Sequence, residues 1–147
     1  MQSNGPRNLT LCCHLRAMAG NLRDLKVWQE AVALAADVVR AARQSARRET
    51  KVLTDQLILT ALNAASAVAD GYGRYTAPEQ RQLYRTAKRE LLRLETQIAI
   101  ARQADLITAH THAELANRIQ SVSRLLGGYL VYLERQLAEA TSSPAGT

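Results

Sequence analysis

Apolar residues recur along most of this chain at steps of three and four, the period of an α-helix rather than a strand. Leu25, Trp28, Val32, Ala35 and Val39 form one such row. It predicts a first helix from about Asp24 to Ser45, with Asp24 as its N-cap. A second row, Val27, Ala31, Leu34 and Val38, runs beside it, and Lys26, Glu30, Asp37 and Arg40 take the remaining arc. The second segment spans about Leu53 to Asp70, capped by Thr50 or Thr54, and Gly71 reads as the left-handed residue that ends it. Thr76-Ala77-Pro78-Glu79 has the form of a capping box with proline in the first turn. It opens a third helix over Ala77–Gln103, striped by Leu83, Ala87, Leu91, Leu94, Ile98 and Ala101. The fourth begins near Thr108 or Thr111, where Thr111-His112-Ala113-Glu114 is a further capping-box pattern. Leu115, Ile119, Val122, Leu126, Tyr129 and Leu133 form its stripe. Gly127-Gly128 either weakens the middle of that helix or admits another backbone.

Short links between four such segments favour antiparallel neighbours. The expected fold is all-α, an antiparallel up-and-down four-helix bundle over residues 21–138, with helices roughly 30–40 Å long. Residues 1–20 are expected to be a flexible extension, with Met18 as a second possible start of translation. Residues 139–147 are expected to be a disordered tail.

The second helix changes this picture. No charged residue occurs between Asp55 and Asp70, and Leu57–Ala69 is apolar or small on every side. The run is shorter than the roughly 20 residues of a membrane span. A helix without a polar face has to be buried all round, whereas a four-helix bundle leaves one side of each helix in water. The expectation is a homo-oligomer, with Val27, Leu34, Leu57, Leu59, Leu62 and Leu92 as candidate interface residues. The alternative is a monomer whose long arginine side chains lie over this face.

Composition agrees with helices: Ala, Leu, Arg and Gln are abundant and Phe is absent. The net charge of +6 and pI near 9.8 suit phosphate-bearing partners. Basic residues gather in two places. Arg40, Arg43, Arg47, Arg48 and Lys51 lie around the end of the first helix. Arg74, Arg81, Arg85, Lys88 and Arg89 follow the second, with Tyr72, Tyr75 and Tyr84 interleaved. These arginines, with Lys88, are the candidate nucleic-acid contacts, although a solvated helix face has the same composition. Cys12 and Cys13 are adjacent, which fits neither a disulfide framework nor a zinc spacing, and a reducing cytoplasm is the expected compartment. No Glu-x-x-His pair, phosphate loop or nucleophile–base pairing is visible. Neither metal, cofactor nor catalysis is expected.

Four strings occur in order: DLKVWQEA from Asp24, LTDQL from Leu53, ADGYGRYTAPEQ from Ala69 and RELLRLETQIAIA from Arg89. Over about Leu22–Leu137 the chain resembles the four-helix-bundle proteins encoded in intervening sequences of bacterial 23S ribosomal RNA genes. The resemblance implies an antiparallel bundle assembled into a ring-like homopentamer, without catalytic activity, binding RNA or another nucleic acid. A more distant similarity is to the basic pentameric accessory protein of diversity-generating retroelements. It implies an alternative, a module that docks a larger enzyme such as a reverse transcriptase. Relatives carry an arginine pair where this chain has Ile58 and Leu59. They have Ser-Ile-Pro at Asn63-Ala64-Ala65, Asn-Ile-Ala-Glu-Gly at Ala67–Gly71, and Gly-Ser-Leu at Arg89-Glu90-Leu91. Fold and assembly carry over; a role tied to the missing arginines does not.

Overall fold

The computed structural model describes residues 21–142. They form four α-helices and no strand: α1 Lys26–Ser45, α2 Lys51–Gly73, α3 Ala77–Gln103 and α4 Ala109–Ser142. Each helix packs on the next and α4 closes against α1, so the described chain is an up-and-down four-helix bundle. The expectations about residues 1–20 and 143–147 lie outside the described residues.

The ends of the helices differ from the sequence reading for local reasons. Asp24 does not cap α1. It closes a short 3-10 turn, Leu22–Asp24, whose own cap is Asn21, with Oδ1 accepting from the Arg23 amide at 2.8 Å. α1 then starts from Leu25 without a side-chain cap. In α2 the Thr54 hydroxyl is buried and donates back to the Lys51 carbonyl at 3.0 Å, while Thr50 occupies the N-cap without a side-chain bond. Gly71 remains helical and α2 runs on to Gly73. The expected α3 boundaries hold. Thr76 Oγ1 accepts from the Glu79 amide at 3.4 Å and donates to the Glu79 carboxylate at 2.9 Å. For α4 the cap is Thr108, which accepts from the Thr111 amide at 3.1 Å, so the Thr111 pattern lies inside the helix. α4 also continues through Ser142, past the predicted end at residue 138. Its 34 residues make it about 51 Å long, beyond the expected range.

α3 ends in a motif that the sequence did not announce. The Leu106 amide donates to Ala101 O at 2.8 Å, and the Asp105 amide to Arg102 O at 3.2 Å. Asp105 has φ 57°. This is a Schellman cap with aspartate at the left-handed position where glycine is usual. Asp and Asn tolerate that region better than most residues, so the cap forms here without the usual glycine.

The core is made by one apolar row from each helix. On α1 the second row, Val27, Ala31, Leu34 and Val38, is fully buried, and Leu25 and Ala35 of the first row join it. Trp28 and Val39 are half-buried and Val32 is exposed. α2 contributes Leu57, Ala61, Ala64 and Val68, α3 Leu91, Leu94 and Ile98, and α4 Ile119, Val122, Leu126 and Leu133. Small residues bring α2 and α3 close together. A Cβ on Gly71 would lie 2.6 Å from Cε1 of Tyr84. Tyr84 is itself buried and leans on Tyr129 of α4, with ring centroids 6.1 Å apart. On the opposite seam Arg118 of α4 bridges Glu30 and Asp37 of α1, and Asp37 also pairs with Arg40.

These contacts correct part of the proposed interface. Val27, Leu34 and Leu57 are 0%, 1% and 4% exposed within a single chain. Their side chains already fill the core and cannot also meet another subunit. Leu59, Leu62 and Leu92 are about half exposed. α2 is also longer than expected. By length and composition, Arg48–Gly73 is a segment apolar enough to cross a membrane, so shortness does not argue against a span. What argues for the bundle is that α2 has a defined inward arc, Leu57, Ala61, Ala64 and Val68, in the common core.

Gly71→Ala should destabilise the protein by about 1–3 kcal/mol, because the new methyl overlaps a ring held on its other side. Gly128→Ala, where a Cβ meets nothing within 4 Å, should stabilise it by about 0.5–1 kcal/mol. Urea unfolding followed by circular dichroism measures both. Asp105→Gly should raise the denaturation midpoint by an amount equal to about 0.5–1 kcal/mol, since glycine enters the left-handed region without a Cβ penalty. An unchanged midpoint would refute that account of the α3 cap.

Candidate nucleic-acid interface

The residues expected to contact nucleic acid divide into two sets with different surroundings. The first lies where α1 hands over to α2. Arg40 is held by Asp37, and Lys51 by Asp55 one turn further along α2. Arg43, Arg47 and Arg48 line a cleft of about 340 Å³ that also contains Asp55 and Ile58. Arg47 further borders Glu49 and Asp105. Among the described residues no carboxylate pairs with Arg43, Arg47 or Arg48, so this set also keeps three cations without an ion pair, with Asp55 lining the same cleft.

The second set lies along the outer face of α3. Arg81, Arg85, Lys88 and Arg89 share a shallow groove of about 620 Å³ with Pro78, Gln82 and Leu92. Helical spacing explains the juxtaposition, since positions 81, 85, 88, 89 and 92 recur at three- and four-residue steps and so share one face. From Arg81 to Arg89 the helix rises about 12 Å. Arg85 reaches Glu134 of α4 at 2.8 Å. Arg89 donates to the Thr86 hydroxyl at 3.1 Å. Among the described residues no carboxylate pairs with Arg81, Lys88 or Arg89. Leu92, grouped at first with the interface residues, belongs to this basic groove. Arg74 is exposed on the link between α2 and α3.

Sequence reasoning found the α3 strip and a helical salt bridge for Glu90, but not the burial of Gln80 and Glu90 behind the strip. Gln80 is 4% exposed and its Oε1 has no hydrogen-bond partner. Glu90 is also largely buried and is reached from outside by Arg93 at 2.9 Å. Their spacing of three or four from Tyr84, Ala87 and Leu94 places them on the inward arc, a signal hidden by their polarity. Burial raises the Tyr129 phenol above its ordinary value.

A third surface carries no charge. Between Asp55 and Asp70 the outward positions of α2 are Gln56, Leu59, Leu62, Asn63 and Ser66. Val32 of α1 is exposed as well. The geometry separates an uncharged outer face on α2 from a cationic one on α3.

Catalytic and metal-binding arrangements are not evident among the described residues. No three His, Cys, Asp or Glu side chains there converge on a common point. His110 pairs with Glu114 at 3.2 Å, both exposed. Cys12 and Cys13 lie outside the described residues.

No curated protein matches the chain. The model of one family, described as 23S rRNA-intervening sequence protein, matches residues 23–128, from the turn before α1 to the middle of α4. That span covers most of the bundle and includes all four strings on which the resemblance was drawn, and the chain belongs to this family.

Proposed function

We propose that this protein is a non-enzymatic binding protein that works as a homo-oligomer. Its copies associate through the uncharged outer face of α2, and the assembly holds nucleic acid on the α3 strip. The observation that carries the reading is the pairing of two unlike surfaces on adjacent helices. One exposes Leu59 and Leu62 on a stretch without charge between Asp55 and Asp70, and the other carries Arg81, Lys88 and Arg89, which have no carboxylate partner among the described residues. Exposed leucines on a helix without charges are stabilised by a further layer. Cations without partners attract phosphate and release counterions on binding.

The proposed interface now consists of Leu59 and Leu62 with Val32, in place of the residues that the core has absorbed. The ring-like pentamer implied by family resemblance is the assembly we favour. Repeating the α3 strip around a ring would turn weak sites into an avid surface.

Light scattering of the native protein should give a mass several times the 16.2 kDa of the chain. Leu59→Glu with Leu62→Glu should reduce it to one chain with helicity retained, because each carboxylate would otherwise be buried without a partner. A native monomer would sink the self-association. It would favour the alternative in which this face docks a larger protein. Partition of the native protein into vesicles would instead assign the α2 face to a membrane. In mobility shifts on structured RNA, affinity should fall steeply as salt is raised. Arg81→Glu with Lys88→Glu should weaken it at least about tenfold. Salt-insensitive binding, or no shift at micromolar protein, would count against the nucleic-acid reading.

A further inference from the structure

We infer that the α3 strip is built for a single strand rather than a duplex. The inference rests on the nucleic-acid reading above and narrows it. Three observations carry it.

The cations form one row. Arg81, Arg85, Lys88 and Arg89 all belong to one helix and cover about 12 Å along it. A row of this length can follow a few successive phosphates of one strand.

Among the described residues, the ion pairs at the strip bring no second row of cations to its flanks. A duplex presents its other backbone across a groove about 6–12 Å wide, where a second set of cations would be needed. On the α2 side no charged residue occurs between Asp55 and Asp70. The charge that α4 brings into contact with the strip is the Glu134 carboxylate, which meets Arg85. It would repel a second line of phosphates.

The strip also contains apolar surface. Leu92 is 59% exposed and lines the same groove as the cations, with Pro78 at the other end. A duplex turns charged phosphates outward and keeps its base faces stacked inside, so it gains nothing from an aliphatic shelf. A single strand can lay unpaired bases on such a surface while its phosphates meet the cations. Leu92 lies outside the chain's own core and acquires a role here. RNA and DNA strands share this chemistry.

The test uses the full chain and fluorescence anisotropy. The probes are a fluorescein-labelled 15-nucleotide RNA of mixed sequence, the DNA of the same sequence, and each annealed to its complement. Both single strands should bind at least about tenfold tighter than their duplexes. With three unpaired cations engaged, the logarithmic salt slope for a single strand should be about −2. Leu92→Ser should weaken single-strand binding by about threefold or more and leave duplex binding unchanged. Leu92→Gln, which keeps the side-chain length and helix propensity, should behave alike and guards against a folding defect. Duplexes that bind as tightly as single strands, or Leu92 variants that bind like the native protein, would overturn the single-strand assignment and leave general nucleic-acid binding intact. If neither form binds, both readings fall. Tight single-strand binding that survives Arg81→Glu, Lys88→Glu and Arg89→Glu together would place the site elsewhere and overturn the inference.

Discussion

A helix that carries no charge over four turns needs uncharged surroundings on every side, and α2 is such a helix. Much of the architecture follows from it. The bundle satisfies the inward arc through Leu57, Ala61, Ala64 and Val68. Small residues there let α3 approach closely enough that Tyr84 packs directly over the backbone at Gly71. This close seam fixes where α3 sits, and with it the direction in which the arginines of α3 point. The outward arc of α2 is left with leucine, asparagine and serine against water. A hydrophobic surface of that kind is where a further layer adds most stability.

Polarity is thus distributed between neighbours rather than around each helix. α2 gives up charge, and α3 carries an excess on its outer face. α1 and α4 are joined by ionic contacts, with Arg118 bridging Glu30 and Asp37. Such half-exposed pairs contribute modestly to stability. Their value lies in direction, since they fix how α4 closes on α1 at a seam where the apolar residues are partly exposed. The unpaired cations of α3 then form a charged surface that the fold itself does not consume.

Much of this was legible in the sequence because helical periodicity is a strong signal over long segments. The four helices, the Thr76 cap and the boundaries of α3 follow from the residues directly. The errors arose where one pattern had two solutions. α1 carries two apolar rows, and periodicity alone could not say that Val27 and Leu34 face inward while Val32 faces out. Gly71 suits a helix end or a close helix contact equally well, and Tyr84, thirteen residues later, decides for the second. At Asp105, a single aspartate in a link does not disclose a left-handed backbone. The α3 strip was readable because charges at positions 81, 85, 88 and 89 share a face on any helix. The lack of carboxylate partners for three of them depends on where α2 and α4 lie, which no local pattern contains.

The contact between Gly71 and Tyr84 also sets an order on how this sequence can change. No side chain fits at position 71 while the ring at 84 keeps its place. A smaller residue at 84 would open that space, but it would also remove the partner of Tyr129 and leave a void in the core. A path from glycine to a larger residue must therefore pass first through position 84 and then be followed by repacking around 129. Three positions on three helices are tied into one inherited unit, although each looks separately replaceable along the chain.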